Sequence, residues 1–375
     1  MRCLLATNDF PPKIGGIQNY LFELVRRLPP QEIVVFTTSQ RDSAEFDRRQ
    51  EFGIERSSSP VLLPTPGLVR AVRKTIEERE IELVLLDPAL PLGMIGKRLR
   101  VPYGLVLHGA EVAIPGRLPV SRQLLASVLS GAALAVAGGG YSATEAARAA
   151  RERMPRCVIV PPGVDHERFH PLEPEERAVV RQRFGLPTTG RLVVSVSRLV
   201  PRKGMDVLIE AVGRLSATRT DLTLAIGGTG RDSRRLERLA SRSGARVCFL
   251  GRVEDDDLPM LDAAADVWAM CCRDRWLGLE QEGFGIVFLE AAAAGVAQLA
   301  GRSGGSEEAV VDGRTGLVVD RPSDPTAIAD SLARLLDDPG LRARLGAAAR
   351  ERAVTEFDYD RLAQVLHEAL VTACN

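Results

Sequence analysis

The sequence predicts an α/β protein of two similar-sized halves, each a parallel sheet with helices between its strands. Three observations carry this. Short apolar runs bounded by Gly, Pro, Asn or Asp alternate with stretches of helical periodicity from one end to the other. The alternation breaks at Pro161-Pro162-Gly163-Val164-Asp165 and resumes after Pro171. The 375 residues exceed what one hydrophobic core usually organises, and two domains of ordinary size fit.

The composition, 45% hydrophobic and 26% charged, is that of a soluble globular protein. The six cysteines show no CxxC spacing and no histidine clusters, which predicts a reducing compartment, no disulfide and no zinc site. A formal net charge of zero argues against general nucleic-acid binding. The charge is unevenly placed all the same: 21 Lys and Arg against 16 Asp and Glu through Pro162, and 28 against 33 beyond it. Met1 to Ala6 is too short for a signal peptide and no run reaches the length of a membrane span, so a cytoplasmic protein is expected.

In the first half, Cys3 to Thr7 reads as a buried strand, followed by a loop through Asn8, Asp9 and Gly15-Gly16 into an amphipathic helix, Ile17 to Leu28. The two glycines let backbone approach a ligand at the helix N-terminus. Strands follow at Ile33 to Thr37, Leu83 to Leu86, Tyr103 to Leu107, Leu134 to Ala137 and Cys157 to Val160. Ligands in such sheets bind at the carboxyl ends of strands. Asp9 and His108 each stand just beyond one, placed to hydrogen-bond a substrate hydroxyl.

In the second half, strands are expected at Leu192 to Ser197, Leu222 to Ile226, Val247 to Leu250 and Val267 to Met270. Arg198 and Lys203 follow the first of these and suit neutralisation of a leaving diphosphate. Gly227-Gly228-Thr229-Gly230 lacks the full dinucleotide fingerprint; Gly228, with Arg252 and Val253 after the next strand, is assigned to the pocket for a nucleotide base. Asp255-Asp256-Asp257 precedes Leu258-Pro259 and reads as helix capping; no metal is required. The segment that organises the half is Glu282-Gly283-Phe284-Gly285-Ile286-Val287-Phe288-Leu289-Glu290. A glycine turn opening a helix offers free N–H groups and the positive dipole end to a diphosphate. Glu290, about two turns in, would accept from ribose hydroxyls. Glu282, before the turn, would face the sugar.

Gly15-Gly16, His108-Gly109-x-Glu111, Pro162-Gly163-Val164-Asp165, Ser197-Arg198 with Lys203-Gly204, and Glu282-x7-Glu290 occur in the order found in family 4, GT-B-fold retaining glycosyltransferases, which the chain resembles over nearly its whole length. The resemblance implies two Rossmann-like domains facing a central cleft: an acceptor-side domain, 1–162, with a C-terminal helix, 355–375, packing back on it, and a nucleotide-sugar domain, 163–354. It implies Arg198 and Lys203 on the diphosphate, Gly283, Phe284, Gly285, Ile286 and Val287 forming the turn beneath it, Glu290 on the ribose, and Glu282, His108 and Asp9 at the reacting sugar. It also implies front-face attack, in which the leaving phosphate helps take the acceptor proton. Thr7 to Pro12, Ser197 to Gly204 and Cys272 to Arg275 further resemble the actinobacterial mannosyltransferases of this family that act on phosphatidylinositol mannosides. That similarity implies GDP-mannose as donor, a glycolipid acceptor and an alpha-1,6 linkage. Another acceptor or a UDP-sugar stays open, as does a nucleotide-sugar-binding protein without catalysis. Where that subgroup carries Ser-Ser-Tyr-Thr this chain has Gly138-Gly139-Gly140-Tyr141-Ser142, and its first half matches less well. A lipid acceptor implies peripheral contact with anionic membrane. The segment 67–76 is the candidate, with Leu68, Val72 and Ile76 for shallow insertion beside Arg70, Arg73 and Lys74.

Overall fold

The computed structural model describes residues 1–374. Its contacts divide the chain into two compact units: Met1–Pro162 together with the C-terminal stretch from Tyr359, and Gly163–Asp358.

The first unit is built on seven parallel strands, β1 (Cys3–Thr7), β2 (Ile33–Thr38), β3 (Gly53–Ser57), β4 (Leu83–Asp87), β5 (Tyr103–Leu107), β6 (Leu134–Ala137) and β7 (Arg156–Ile159), in the order β3-β2-β1-β4-β5-β6-β7. β1 pairs with β2 in the register Cys3↔Ile33 and with β4 in the register Cys3↔Leu83, so successive strands are laid down on opposite sides of β1. The point where the order reverses therefore lies between β1 and β4, with its crevice at their carboxyl ends. β1, β4, β5 and β6 are buried along their whole length, as parallel strands covered by helices on both faces must be. The C-terminal helix Tyr359–Cys374 is tied to this unit by Arg27 Nε to Asp360 Oδ1 at 2.6 Å and by His367 Nε2 to Glu32 Oε2 at 2.9 Å. The preceding helix, Pro339–Glu356, belongs to the second unit, so the chain returns at Tyr359 and not at 355.

The second unit has six parallel strands, β8 (Arg191–Val196), β9 (Leu222–Gly227), β10 (Val247–Gly251), β11 (Val267–Met270), β12 (Gln298–Gly301) and β13 (Gly316–Val319), in the order β10-β9-β8-β11-β12-β13. Here the order reverses between β8 and β11.

Three of these strands, β3, β12 and β13, are not anticipated from the sequence. β3 carries Glu55 and Arg56 and is half-buried at a sheet edge, and β12 and β13 are four residues each with glycine at an end. Pairing partners distant in sequence make them strands, which local periodicity does not record.

The segment 67–76 corrects the membrane expectation. Helix Pro66–Arg79 begins on Thr65, whose hydroxyl accepts from Leu68 N, and it turns Leu68, Val72 and Ile76 into the core of the first unit. Apolar side chains so placed are not available to lipid. Asp255–Asp257 also differs: the three acids form a short 3-10 turn before helix Leu258–Ala263, and Asp257 sits at the N-cap without a side-chain cap bond. Asp255 and Asp257 pair instead with Arg168 and Arg183.

Candidate active site

At the reversal point of the second unit, two loops are pressed together by backbone contacts that only glycine permits. The loop after β8 makes a 3-10 turn, Pro201–Lys203, ending on Gly204 at φ +70°. A Cβ there would stand 1.8 Å from Cys271 O at the end of β11. This close approach buries Lys203 beside Glu282, with Nζ 2.7 Å from Oε2 and both side chains 8% exposed. Arg202 Nη1 lies 3.9 Å from the same oxygen. Burial works against the ionised carboxyl, but Lys203 and then Arg202 outweigh it and hold Glu282 below the usual carboxylate range.

Glu282 is also fixed through its backbone. Its N–H donates to Ser303 Oγ at 3.2 Å, its carbonyl accepts from Gly305 N at 2.9 Å, and Ser303 Oγ donates to Asp274 Oδ1 at 2.7 Å. Gly283, Phe284 and Gly285 then lead into helix Ile286–Ala293, with Gly285 at φ +95° as its N-cap. Phe284 is buried against Phe357, while Ile286 and Val287 are half-buried in the first turn, whose N–H groups lack intrahelical partners. Lys203, Arg202, the exposed Arg198 and this helix end thus bring positive charge together around Glu282.

Glu290, five residues into the helix sequence, has a different environment. Burial and the nearby Asp255 raise its carboxyl to about 7, against the pull of Arg168. Asp262, fully buried and accepting from Trp268 Nε1 at 2.9 Å, is pushed well above the ordinary range by burial and then by Glu290. Gly228, at φ +117°, donates to Gly251 O at 2.6 Å, and a Cβ on it would lie 1.9 Å from Ser197 O. Val253 packs on the neighbouring Gly227, and Arg252 is exposed beside Glu254. Residues assigned from sequence to diphosphate, ribose and base thus all sit beyond the carboxyl ends of β8 to β11.

The first unit carries a second charged group at its own reversal point. His108 Nε2 is 2.6 Å from Asp87 Oδ1, and Thr7 Oγ1 donates to Asp87 Oδ2 at 2.5 Å. Burial opposes the imidazolium, yet the Asp87 charge and hydrogen bond raise His108 to about 9, with Glu111 and Asp9 assisting. Glu111, in the first turn of helix Ala110–Arg117, accepts from the backbone N–H of His108 and Gly109. Asp9 is held by Lys13 Nζ at 2.6 Å and Gln18 Nε2 at 2.5 Å, and its N–H donates to Thr7 Oγ1 at 2.8 Å. Gly15 and Gly16 are exposed at the start of helix Gly16–Val25, and Gly15 lies against Gln18. Asp87, Arg202 and Ser303 are members of these groups that the sequence reading missed. For Asp87 a signal existed, since Leu-Asp-Pro closes an apolar strand just as Asn8-Asp9 does.

A Rickettsia africae glycosyltransferase shares this fold with a TM-score of 0.82 at 19% identity, covering 99% of this chain and 98% of that one. Two parallel-sheet, Rossmann-like units of this kind make up the GT-B fold. Residues 14–168 match the family described as Glycosyltransferase Family 4, and residues 176–352 the one described as Glycosyl transferases group 1. The GDP-mannose-dependent monoacylated alpha-(1-6)-phosphatidylinositol monomannoside mannosyltransferase of Corynebacterium glutamicum is 39% identical over 375 residues, covering 98% of this chain and 97% of its own. The corresponding Mycobacterium tuberculosis protein is 40% identical over 384 residues, covering 98% of each. The chain belongs to the family 4 glycosyltransferases.

The His108–Asp87 pair makes a prediction with a defined sign. Because the folded-state pKa lies above the ordinary 6.5, its stabilisation is complete below pH 6.5 and is lost as pH rises through about 9. In an NMR titration the His108 ring should change near pH 9, and in Asp87→Asn the midpoint should fall to 6.5 or below. An unchanged midpoint in the variant would assign the shift to something other than Asp87.

Proposed function

We propose that the protein transfers mannose from GDP-mannose to a phosphatidylinositol monomannoside, making an alpha-1,6 linkage with retention of configuration. The observation that carries this is identity of 39–40% along essentially the whole chain with relatives bearing that activity in their names. In this reading Arg198 and Lys203 take the diphosphate, Glu290 the ribose, and Gly228, Arg252 and Val253 the base. Glu282 keeps Lys203 oriented, and reaches the sugar from the same turn. As the glycosidic bond breaks, charge grows on the leaving phosphate, and cations already in place stabilise that state without rearranging. His108, charged at neutral pH by Asp87, is a hydrogen-bond donor suited to a sugar hydroxyl, with Asp9 beside it as acceptor.

Transfer of radiolabelled mannose from GDP-mannose into a phosphatidylinositol monomannoside in vesicles tests the reading directly. Incorporation should persist in EDTA, because Asp255 and Asp257 are committed to Arg168 and Arg183 and the diphosphate meets arginine and lysine. No incorporation from GDP-mannose but turnover of UDP-glucose would overturn the donor, and loss in EDTA restored by magnesium would overturn the metal-free scheme.

A lipid acceptor requires a bilayer contact, which we propose lies along helices Ala110–Arg117 and Pro119–Leu129. Leu118, Val120 and Leu124 are 50%, 74% and 45% exposed there. From Pro88 to Thr144 the sequence has one acid, Glu111, against Lys97, Arg98, Arg100, Arg117 and Arg122. Apolar tips in a basic stretch with a single acid suit an anionic interface, where each cation adds about 1 kcal/mol. Val120→Asp with Leu124→Asp should abolish co-sedimentation with phosphatidylinositol vesicles while GDP affinity stays unchanged. Undiminished co-sedimentation would place the contact elsewhere.

A further inference from the structure

The second unit has a cleft of about 350 Å³ at the opposite edge of its sheet from the nucleotide-sugar residues. It opens where β8, β11 and β12 begin: Arg191 is the first residue of β8, and Asp266 and Ala297 immediately precede β11 and β12. Its volume is within the range of small-molecule sites. Small side chains, among them Ala265, Ala294 and Ala297, form the walls, and the polar face is made by Arg177, Arg191, Arg342 and Asp266.

The charge in this cleft does not balance. Asp266 serves three guanidiniums: Arg181 Nη2 at 2.9 Å, Arg177 Nη2 at 3.4 Å and Arg191 Nη1 at 3.7 Å. Arg342 adds a fourth, donating to the carbonyls of Leu335 and Leu336. The further acid near it, Asp338, accepts from Leu341 N at 2.8 Å. The cleft wall thus carries Arg177, Arg191 and Arg342 against Asp266, which also serves Arg181 behind it, with Asp338 the one further acid near Arg342. Several donors do have carbonyl partners, as in Arg181 Nε to Ala264 O at 3.0 Å and Arg177 Nη2 to Ala265 O at 2.7 Å. Those bonds satisfy N–H groups but neutralise no charge. Arg177 Nε remains buried without a hydrogen-bond partner among the described residues. Burial lowers the pKa of Arg177, and burial followed by Arg191 lowers that of Arg342.

We propose that this cleft binds a small phosphate-bearing anion at a site separate from the donor site. Planar guanidiniums match phosphate oxygens in pairs, and the half-exposed Arg191 and Arg177 offer the open edge. The alanine walls leave room for a compact body attached to the phosphate, so a phosphate ester and free pyrophosphate share the required chemistry.

Calorimetric titration of the full chain, first saturated with GDP, with inorganic pyrophosphate and with a hexose 6-phosphate separates these two sources. One further equivalent of at least one probe should bind, and Arg191→Glu should weaken it by tenfold or more while GDP affinity stays unchanged. If that variant does not fold, Arg342→Gln is read in its place. No further equivalent of either probe, or equal affinity in wild type and variant, would overturn the proposal.

Discussion

The buried pair of Lys203 and Glu282 is the contact on which the geometry of the second unit's site depends. It joins the loop after β8 to the loop after β11, the two strands between which the sheet order reverses, so it closes the crevice where ligands of such sheets bind. Removing two charges from water costs several kcal/mol each, and their attraction repays this only when geometry and supporting bonds are good. Support is abundant here: Ser303 and Gly305 fix the Glu282 backbone, and Arg202 adds a second cation. Glycines at 204 and 304 are required because a Cβ would meet Cys271 O at 1.8 Å or Glu282 O at 2.1 Å. Under the proposed function, Lys203 and Arg202 are held in place before a diphosphate arrives, which is the condition for electrostatic stabilisation of a leaving group.

The two units use the same device, a carboxylate that holds a cation. In the second, Glu282 holds Lys203 with Arg202 nearby. In the first, Asp87 holds His108 as a cation, and the chain from Thr7 through Asp87 to His108 ties together the ends of β1, β4 and β5. Each arrangement lies at a carboxyl edge beside a reversal in strand order. Such a location follows from right-handed crossovers, which carry connections to opposite faces on either side of the reversal and leave the loop ends open there.

Much of this was legible in the sequence because it is written locally. Arg198, Lys203 and Gly204 follow an apolar strand at short range, and Glu282, Gly285 and Glu290 mark a turn and a helix. Local pattern says nothing, however, about which charges meet. Arg198 and Lys203 look equivalent as a sequence, yet one is exposed and the other is buried against Glu282. Asp87 reads as the end of an apolar run until the pairing of β4 with β1 and β5 brings it to Thr7 and His108. The amphipathic pattern of 67–76 was equally ambiguous: the same spacing serves a membrane or a core, and Val72, with no exposed surface, shows that the core took it. The arginines around Asp266 are spread from 177 to 342 and become a cluster only through the sheet.

Thermal unfolding and GDP affinity of Lys203→Met, Glu282→Gln and the double variant test the central claim most directly. Lys203→Met leaves the buried Glu282 with only Arg202 at 3.9 Å, and Glu282→Gln leaves the buried Lys203 without its carboxylate, so each should cost about 3 kcal/mol of stability. The double variant should recover much of that loss while GDP binding stays weak, because its cation is gone. Stability losses that simply add, or GDP binding in the double variant equal to that of the wild type, would contradict the account.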